Sequence, residues 1–148
     1  MFIFKRVIRL YLIQLFAGIA VALAIYFPGL DLALAFLFCL VIGAEAVIYK
    51  GNSWRSILVT ALVWQLPGLL LSMQSIAPAG MWGEANYGFF VLQFWYTPLV
   101  PLLSCLAGYF IQGKPIYYYV LLGAPLLLGL YYCLAAALGR RVGVKPAI

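Results

Sequence analysis

Five long apolar runs follow one another along the chain, and each ends in a short polar or turn-forming stretch. Every run is continuous and close to the roughly 20 residues that an α-helix needs to cross a lipid bilayer. The strands of a membrane barrel would instead alternate apolar and polar residues over about ten positions. The pattern therefore predicts an all-α, polytopic transmembrane helix bundle in a single domain, residues 1–148. Its predicted spans are residues 7–27, 32–49, 54–76, 89–111 and 116–138.

The first run has one competing interpretation. It follows a basic N-terminal cluster and contains Ala22-Leu23-Ala24, a small-x-small pattern typical of signal-peptide cleavage. The run is long for a signal peptide, however, and a second run begins almost directly after the turn at Phe27-Pro28-Gly29. We therefore predict a tight transmembrane hairpin, with a cleaved signal as the alternative.

Composition indicates which solvent surrounds the chain. Hydrophobic residues make up 68% of the sequence and charged residues 8%, whereas roughly a quarter of the residues of a typical soluble domain are charged. So few charged side chains cannot cover the surface of a water-soluble domain. The expected partner of this surface is the lipid bilayer, and we expect an integral protein of the cell (plasma) membrane.

The basic residues, which give a net charge of +6, cluster at the ends of the apolar runs, where they indicate membrane topology rather than nucleic-acid binding. With five crossings, six of the nine Lys and Arg residues share the side of the N-terminus, which is then cytoplasmic. Arg140, Arg141 and Lys145 then lie outside. This basic tail fits the cytoplasm better and would need an even number of crossings, yet none of the five runs looks dispensable.

Catalytic and metal-binding chemistry has few candidate residues. The chain has no histidine, and its three cysteines lie inside apolar runs without Cys-x-x-Cys spacing, so no metal site and no cofactor is expected. Acidic residues number only three and the serines have no nearby base, so an enzyme is not expected. The loop with Trp82, Glu84, Asn86 and Tyr87 is expected to be interfacial, with a lid or partner contact as the alternative.

Glu45 is the only acidic residue inside a predicted span. A charged side chain at the bilayer centre costs about 2.5–3.5 kcal/mol on insertion scales, so Glu45 needs protonation or a basic partner. Lys50 lies about 140° away around the helix, which makes Arg55, at the start of the next span, the expected partner. Two roles follow: a contact between the second and third spans, or part of a proton- or cation-linked site.

Prolines interrupt three predicted spans, at Pro67, at Pro98 and Pro101, and at Pro125. Each removes a helix hydrogen bond, frees a backbone carbonyl and is predicted to kink its helix. In transporters, broken helices at mid-membrane expose such groups to substrate or ions. Gln65 and Gln93 lie close enough to the predicted kinks to add amide contacts. Simple kinks filled by neighbouring side chains are the alternative.

Small residues recur every four positions along the fifth run and share one predicted helix face: Pro125, Gly129, Cys133 and Ala137. Such a face lets another helix pack closely, either within the molecule or in a second chain. Gly18 and Ala22 form a weaker face of the same kind in the first run.

Two functions remain compatible with this sequence. The short loops and the lack of catalytic residues favour a non-enzymatic subunit or accessory factor of a larger membrane assembly. The alternative is a small transporter or channel for a small solute or ion. Five spans enclose little volume, so that alternative requires a homo-oligomer.

Overall fold

The computed structural model describes residues 2–48, 53–76 and 87–141. Its elements, in chain order, are α1 (Phe2–Ala24), α2 (Leu30–Val47), α3 (Trp54–Ile76), α4 (Tyr87–Trp95), α5 (Val100–Ser104), β1 (Phe110–Ile111), β2 (Lys114–Pro115) and α6 (Ile116–Arg141). A 3₁₀ turn, Thr97–Leu99, joins α4 to α5. The two short strands form an antiparallel hairpin. Its two-residue turn needs positive φ at both positions, which Gln112 (51°) and Gly113 (76°) supply.

Four helices in the described part of the chain, α1, α2, α3 and α6, are long and apolar enough to cross a membrane. Each overlaps one of the predicted spans, and α3 coincides with the predicted residues 54–76. The predicted fourth span, 89–111, differs because it forms no single helix. It contains the last seven residues of α4, the 3₁₀ turn, and α5, with five residues.

Two prolines three positions apart explain why this run breaks. Pro98 and Pro101 remove two N–H donors within one helical turn, and Tyr96 leaves the helix with φ −99° and ψ 22°. A single proline is tolerated elsewhere: α3 continues through Pro67, and α6 continues through Pro125.

The chain returns after the break to the end of the bundle at which α4 began. The ring of Phe89, in the first turn of α4, lies 4.6 Å from the ring of Tyr118, in the first turn of α6. Gly88 lies against Ser75, at the end of α3. Because α3 ends and α6 begins beside the start of α4, residues 87–109 enter the bundle and turn back. We call residues 87–109 the re-entrant segment.

The start of α1 and the end of α6 lie at the same end of the bundle. Nη1 of Arg6 donates a hydrogen bond to the carbonyl of Glu45, near the end of α2, at 3.2 Å. A Cβ on Gly139, in the last turn of α6, would lie 2.9 Å from Cα of Val47, so α2 and α6 are nearly in backbone contact there. The five predicted crossings would place these two ends on opposite sides of a membrane, and the membrane side of each end stays a prediction.

The buried core lies where α3 and α6 pack against each other and against α1, α2 and α4. Its largest buried rings are Trp64, Tyr96 and Tyr132. On the predicted packing face of α6, Pro125 and Cys133 are buried, while Gly129 and Ala137 are half-buried. Gly129 faces Gln65 of α3, with its added Cβ 3.7 Å from Cγ, so at this position the face packs inside the molecule.

Candidate functional site

Two prolines leave backbone carbonyls without their usual helix donors in the middle of the bundle. Pro67 has no N–H for the carbonyl of Val63, and Pro98 has none for the carbonyl of Phe94. Side-chain hydroxyl groups take the place of both donors. The Tyr11 hydroxyl of α1 donates to the Val63 carbonyl at 2.6 Å, and the Thr97 hydroxyl donates to the Phe94 carbonyl at 2.6 Å.

Gln14 of α1 joins the broken end of α4 to α3. Its Nε2 donates to the carbonyl of Trp95, the last residue of α4, at 3.0 Å. Its Oε1 accepts a hydrogen bond from Nε1 of Trp64 at 2.9 Å. The residue is 3% exposed, and its bond with Trp64 is buried, whereas its bond to the Trp95 carbonyl is partly buried. One amide thereby satisfies a freed carbonyl and an indole donor together.

Gln65 and Tyr96 form a second buried contact next to the first. The Tyr96 hydroxyl donates to Oε1 of Gln65 at 2.5 Å. Gly68, one helical turn along α3, makes room for this ring, since an added Cβ there would collide with the Tyr96 hydroxyl. Nε2 of Gln65 and Nε1 of Trp95 are buried and have no hydrogen-bond partner among the described residues.

These contacts form one group of side chains at mid-bundle, which we call the inner polar cluster: Tyr11, Gln14, Trp64, Gln65 and Tyr96. Gln14 and Gln65 lie near the midpoints of α1 and α3. Irregular backbone at membrane depth is stable only where protein buries it or water reaches it. Here side chains of the protein donate hydrogen bonds to it, so the cluster holds the re-entrant segment in place.

Of the polar residues predicted to form an intramembrane site, only Gln65 lies in the inner polar cluster. Gln93 is exposed on the outer side of α4. Arg55 is exposed at the start of α3, ten residues before Gln65, or about 15 Å along the helix. Glu45 lies near the end of α2. The four residues therefore belong to four separate places in the fold.

Glu45 pairs with Arg9, a residue of the basic N-terminal cluster that was not predicted to be its partner. Oε1 of Glu45 lies 3.2 Å from Nη2 of Arg9, with the carboxylate side chain 15% exposed and the guanidinium side chain 66% exposed. The contact joins α1 to α2 rather than α2 to α3, so Arg55 is not the ion-pair partner found. A pair this open to its surroundings contributes little to stability, on the order of 0–1 kcal/mol.

A groove of about 440 Å³ opens to the outside between α1, the start of α2 and the re-entrant segment. We call it the lateral groove; its lining includes Val21, Asp31, Phe90, Gln93, Thr97 and Ser104. The hydroxyls of Thr97 and Ser104 donate to backbone carbonyls of their own segment. Oδ1 of Asp31 accepts a hydrogen bond from the N–H of Leu32 at 2.8 Å. The Gln93 amide is therefore the group in this lining best placed to meet an external partner.

Comparisons with protein-family models, with curated proteins and with solved structures find no match to this chain. Function must therefore be inferred from the geometry. Within residues 2–48, 53–76 and 87–141, no group of His, Cys, Asp or Glu side chains could hold a metal ion.

Sequence reasoning missed Tyr11 and Gln14, although one signal was present. Gln14 is the only amide in the first run, and Tyr11 lies three residues before it on a neighbouring part of the same helix face. Two hydrogen-bonding side chains so placed in an apolar helix indicate polar groups to be satisfied on another helix. The partners, however, lie 50 to 81 residues away in sequence.

Proposed function

We propose that this protein is a non-enzymatic component of a larger membrane assembly and that it docks another transmembrane helix in the lateral groove. The observation that supports this proposal is Gln93, an amide exposed on the outer surface of α4. It lies six residues after Tyr87, or about 9 Å along the helix, which corresponds to membrane depth if Tyr87 marks the interface.

An amide facing hydrocarbon is unfavourable without a hydrogen-bonding partner, and such residues are found where transmembrane helices associate. The lateral groove supplies shape as well, because the aromatic ring of Phe90 and the small side chain of Ala22 line it together with Gln93. A partner helix with an amide or hydroxyl at the matching depth would satisfy Gln93. This contact would be the means by which the chain joins its assembly.

In the orientation that supports this proposal, the start of α1 and the end of α6 both lie on the cytoplasmic side of a cell (plasma) membrane. Eight of the nine basic residues fall in three parts of the sequence. Three precede the middle of α1, two lie at or next to the connection from α2 to α3, and three lie in or after the last turn of α6. Only Lys114 belongs to the other end. The positive-inside rule then assigns the end with eight to the cytoplasm, and the basic tail no longer conflicts with it.

The second candidate function is a small oligomeric transporter or channel. The re-entrant segment favours it, because a half-length helix that stops near mid-bundle resembles the broken helices that bind substrates in transporters. The freed carbonyls of Val63 and Trp95 already accept hydrogen bonds from Tyr11 and Gln14. A substrate would therefore have to displace these side chains, and for that reason the docking function is preferred.

Native mass spectrometry of the gently extracted protein separates the two candidates. A stoichiometric unrelated chain is expected if the protein is an assembly component. A stable homo-oligomer would favour the transporter, and recovery of the bare monomer alone would contradict both.

A matched pair of variants assigns the result to the lateral groove. Gln93→Leu is expected to release the partner, because it removes the exposed amide. Gln74→Leu makes the same change at an exposed position near the end of α3, outside the groove lining, and is expected to retain the partner. Equal retention by both variants would exclude Gln93 as the docking residue.

A further inference from the structure

A second groove, between α1 and α2, has a charged entrance and an apolar interior. Its volume is about 390 Å³, and Arg9 is the only polar residue in its lining. The remaining lining includes Leu12, Phe16, Ala17, Ala20 and Leu37. We call it the α1–α2 groove. It lies on the other side of α1 from the lateral groove and shares no lining residue with it.

The groove has the length of one lipid leaflet. From Arg9 to Ala20 the α1 helix rises eleven residues, or about 16 Å, and half of a hydrocarbon core of roughly 30 Å is about 15 Å. The small side chains of Ala17 and Ala20 leave space between the larger residues of both helices. An extended acyl chain fits a groove with this length and lining.

The charge at the entrance selects among lipids. Lys5 lies one turn before Arg9, on the same side of α1, and is exposed. Together with Arg6 and Glu45, these residues carry a net charge of +2. Glu45 approaches Nη2 of Arg9, and the guanidinium, with its side chain 66% exposed, has further N–H donors for a phosphate.

We propose that the α1–α2 groove binds an anionic phospholipid of the cytoplasmic leaflet, with the phosphate at Arg9 and Lys5 and one acyl chain along Ala17 and Ala20. Basic residues between transmembrane helices on the cytoplasmic side are the usual partners of anionic headgroups. The ion pair with Glu45 positions the Arg9 side chain toward α2. The choice of leaflet rests on the orientation proposed above, but the site does not depend on helix docking, because it uses other residues and another face of α1.

The test measures lipids that remain bound to the whole protein. Protein in neutral detergent is titrated with phosphatidylglycerol or with phosphatidylcholine of the same acyl chains, and bound lipid is counted by native mass spectrometry. Phosphatidylglycerol is expected to bind and phosphatidylcholine to bind at least several-fold more weakly. Glycerol phosphate, which has the anionic headgroup without the acyl chains, is expected not to compete.

Variants assign the binding to the groove. Arg9→Gln and Lys5→Gln are each expected to weaken phosphatidylglycerol binding about five-fold, the effect of one basic residue near an anionic surface. Ala20→Leu is expected to weaken binding by filling the groove, with the charges unchanged. Arg55→Gln removes a basic residue at the same end of the bundle but outside the groove, and is expected to leave binding unchanged.

Three results would overturn the proposal. The first is equal binding of the two lipids. The second is an Arg55→Gln variant that loses as much binding as Arg9→Gln, which would indicate a general attraction to positive charge. The third is undiminished binding by Ala20→Leu. If Arg9→Gln fails to fold, Lys5→Gln and Ala20→Leu decide the matter.

Discussion

Gln14 shows how a single buried amide organises the interior of this protein. It accepts from Trp64 and donates to the Trp95 carbonyl, so α1, α3 and the end of α4 meet at one side chain. A leucine of similar volume would keep the packing but leave two buried polar groups without partners. Leaving a buried donor or acceptor unsatisfied costs more than the net value of the hydrogen bond itself.

Gln14→Leu is therefore expected to lower the free energy of unfolding by about 1–3 kcal/mol. Reversible unfolding in mixed detergent micelles, followed by tryptophan fluorescence, measures this change. The control is Gln74→Leu, at an exposed site, which is expected to change stability by less than about 0.5 kcal/mol. Equal stability of Gln14→Leu and the wild type would show that the inner polar cluster carries no stability through this amide.

Tyr11 and Pro67 are expected to be coupled energetically. The Tyr11 hydroxyl bonds to the Val63 carbonyl because Pro67 cannot. In the Pro67→Ala background, the restored N–H supplies a donor within the helix. The Tyr11 hydroxyl then contributes less to the free energy of unfolding. Tyr11→Phe should thus cost less stability in that background than in the wild type.

A double-mutant cycle with Tyr11→Phe and Pro67→Ala measures this coupling. We expect an interaction energy of about 0.5–1.5 kcal/mol, in the range found for polar contacts between membrane helices. Strictly additive effects of the two substitutions would contradict the exchange of donors proposed for this carbonyl.

At the scale of elements, close helix approach depends on particular glycines rather than on every small residue. Gly139 brings α6 against α2, with 2.9 Å between its added Cβ and the Cα and carbonyl oxygen of Val47. Gly123 lies on the same helix, and an added Cβ there would have no heavy atom within 4 Å apart from the adjacent backbone and neighbours of its own helix. The two glycines differ in surroundings, and their substitution separates packing from helix propensity.

Gly139→Ala is expected to destabilise the protein by about 1–3 kcal/mol, because backbone atoms of α2 cannot move aside as a flexible side chain can. Gly123→Ala, in open space, is expected to be neutral or stabilising by up to about 1 kcal/mol, since alanine favours the helix. Thermal unfolding of the two variants in one detergent compares them. Similar midpoints would show that α2 and α6 are less closely packed than described.

The re-entrant segment also depends on sequence features at the scale of elements. The long apolar run 89–111 has the composition of a membrane helix, and on composition alone it predicts a crossing. Two prolines end α4 at mid-bundle, but prolines are common in membrane helices that do cross. What makes the chain turn back is a set of contacts from other helices: Gln14 at Trp95, Gln65 at Tyr96, and Tyr118 at Phe89.

For the whole molecule, we expect the re-entrant segment to reduce the number of membrane crossings from five to four. Lys114 then lies on the side opposite to Lys5, and Arg141 on the same side as Lys5. Five crossings would reverse both relations. Cysteine labelling from one side of the membrane distinguishes the two arrangements, because only two positions need to be compared with fixed references.

The labelling uses a background in which the native cysteines Cys39, Cys105 and Cys133 are replaced by alanine. In intact cells, a membrane-impermeant thiol reagent is expected to label Lys114→Cys and the reference Tyr26→Cys. It is expected to label Lys5→Cys and Arg141→Cys only after permeabilisation. If Lys114→Cys, like Lys5→Cys, were labelled only after permeabilisation, the arrangement with five crossings would be supported instead.

The sequence by itself predicted that lipid surrounds this protein and that its structure is helical. Apolar runs of membrane-spanning length need no long-range information, because each helix satisfies its own backbone hydrogen bonds in lipid. Gln65 was predicted for a similar reason, since its neighbour Pro67 affects the backbone locally. The bounds of α3 and the turn before α6 also follow from local signals.

Only the tertiary structure decided which run is broken into short helices and which polar groups meet. Arg9 rather than Arg55 pairs with Glu45, and Gln14 rather than Gln93 bonds to the broken helix. These choices depend on which helices pack together, and residues 31 to 81 positions apart in sequence make the contacts. Local sequence patterns do not specify such long-range contacts, because a helix of given sequence can rotate or shift until its polar groups find partners.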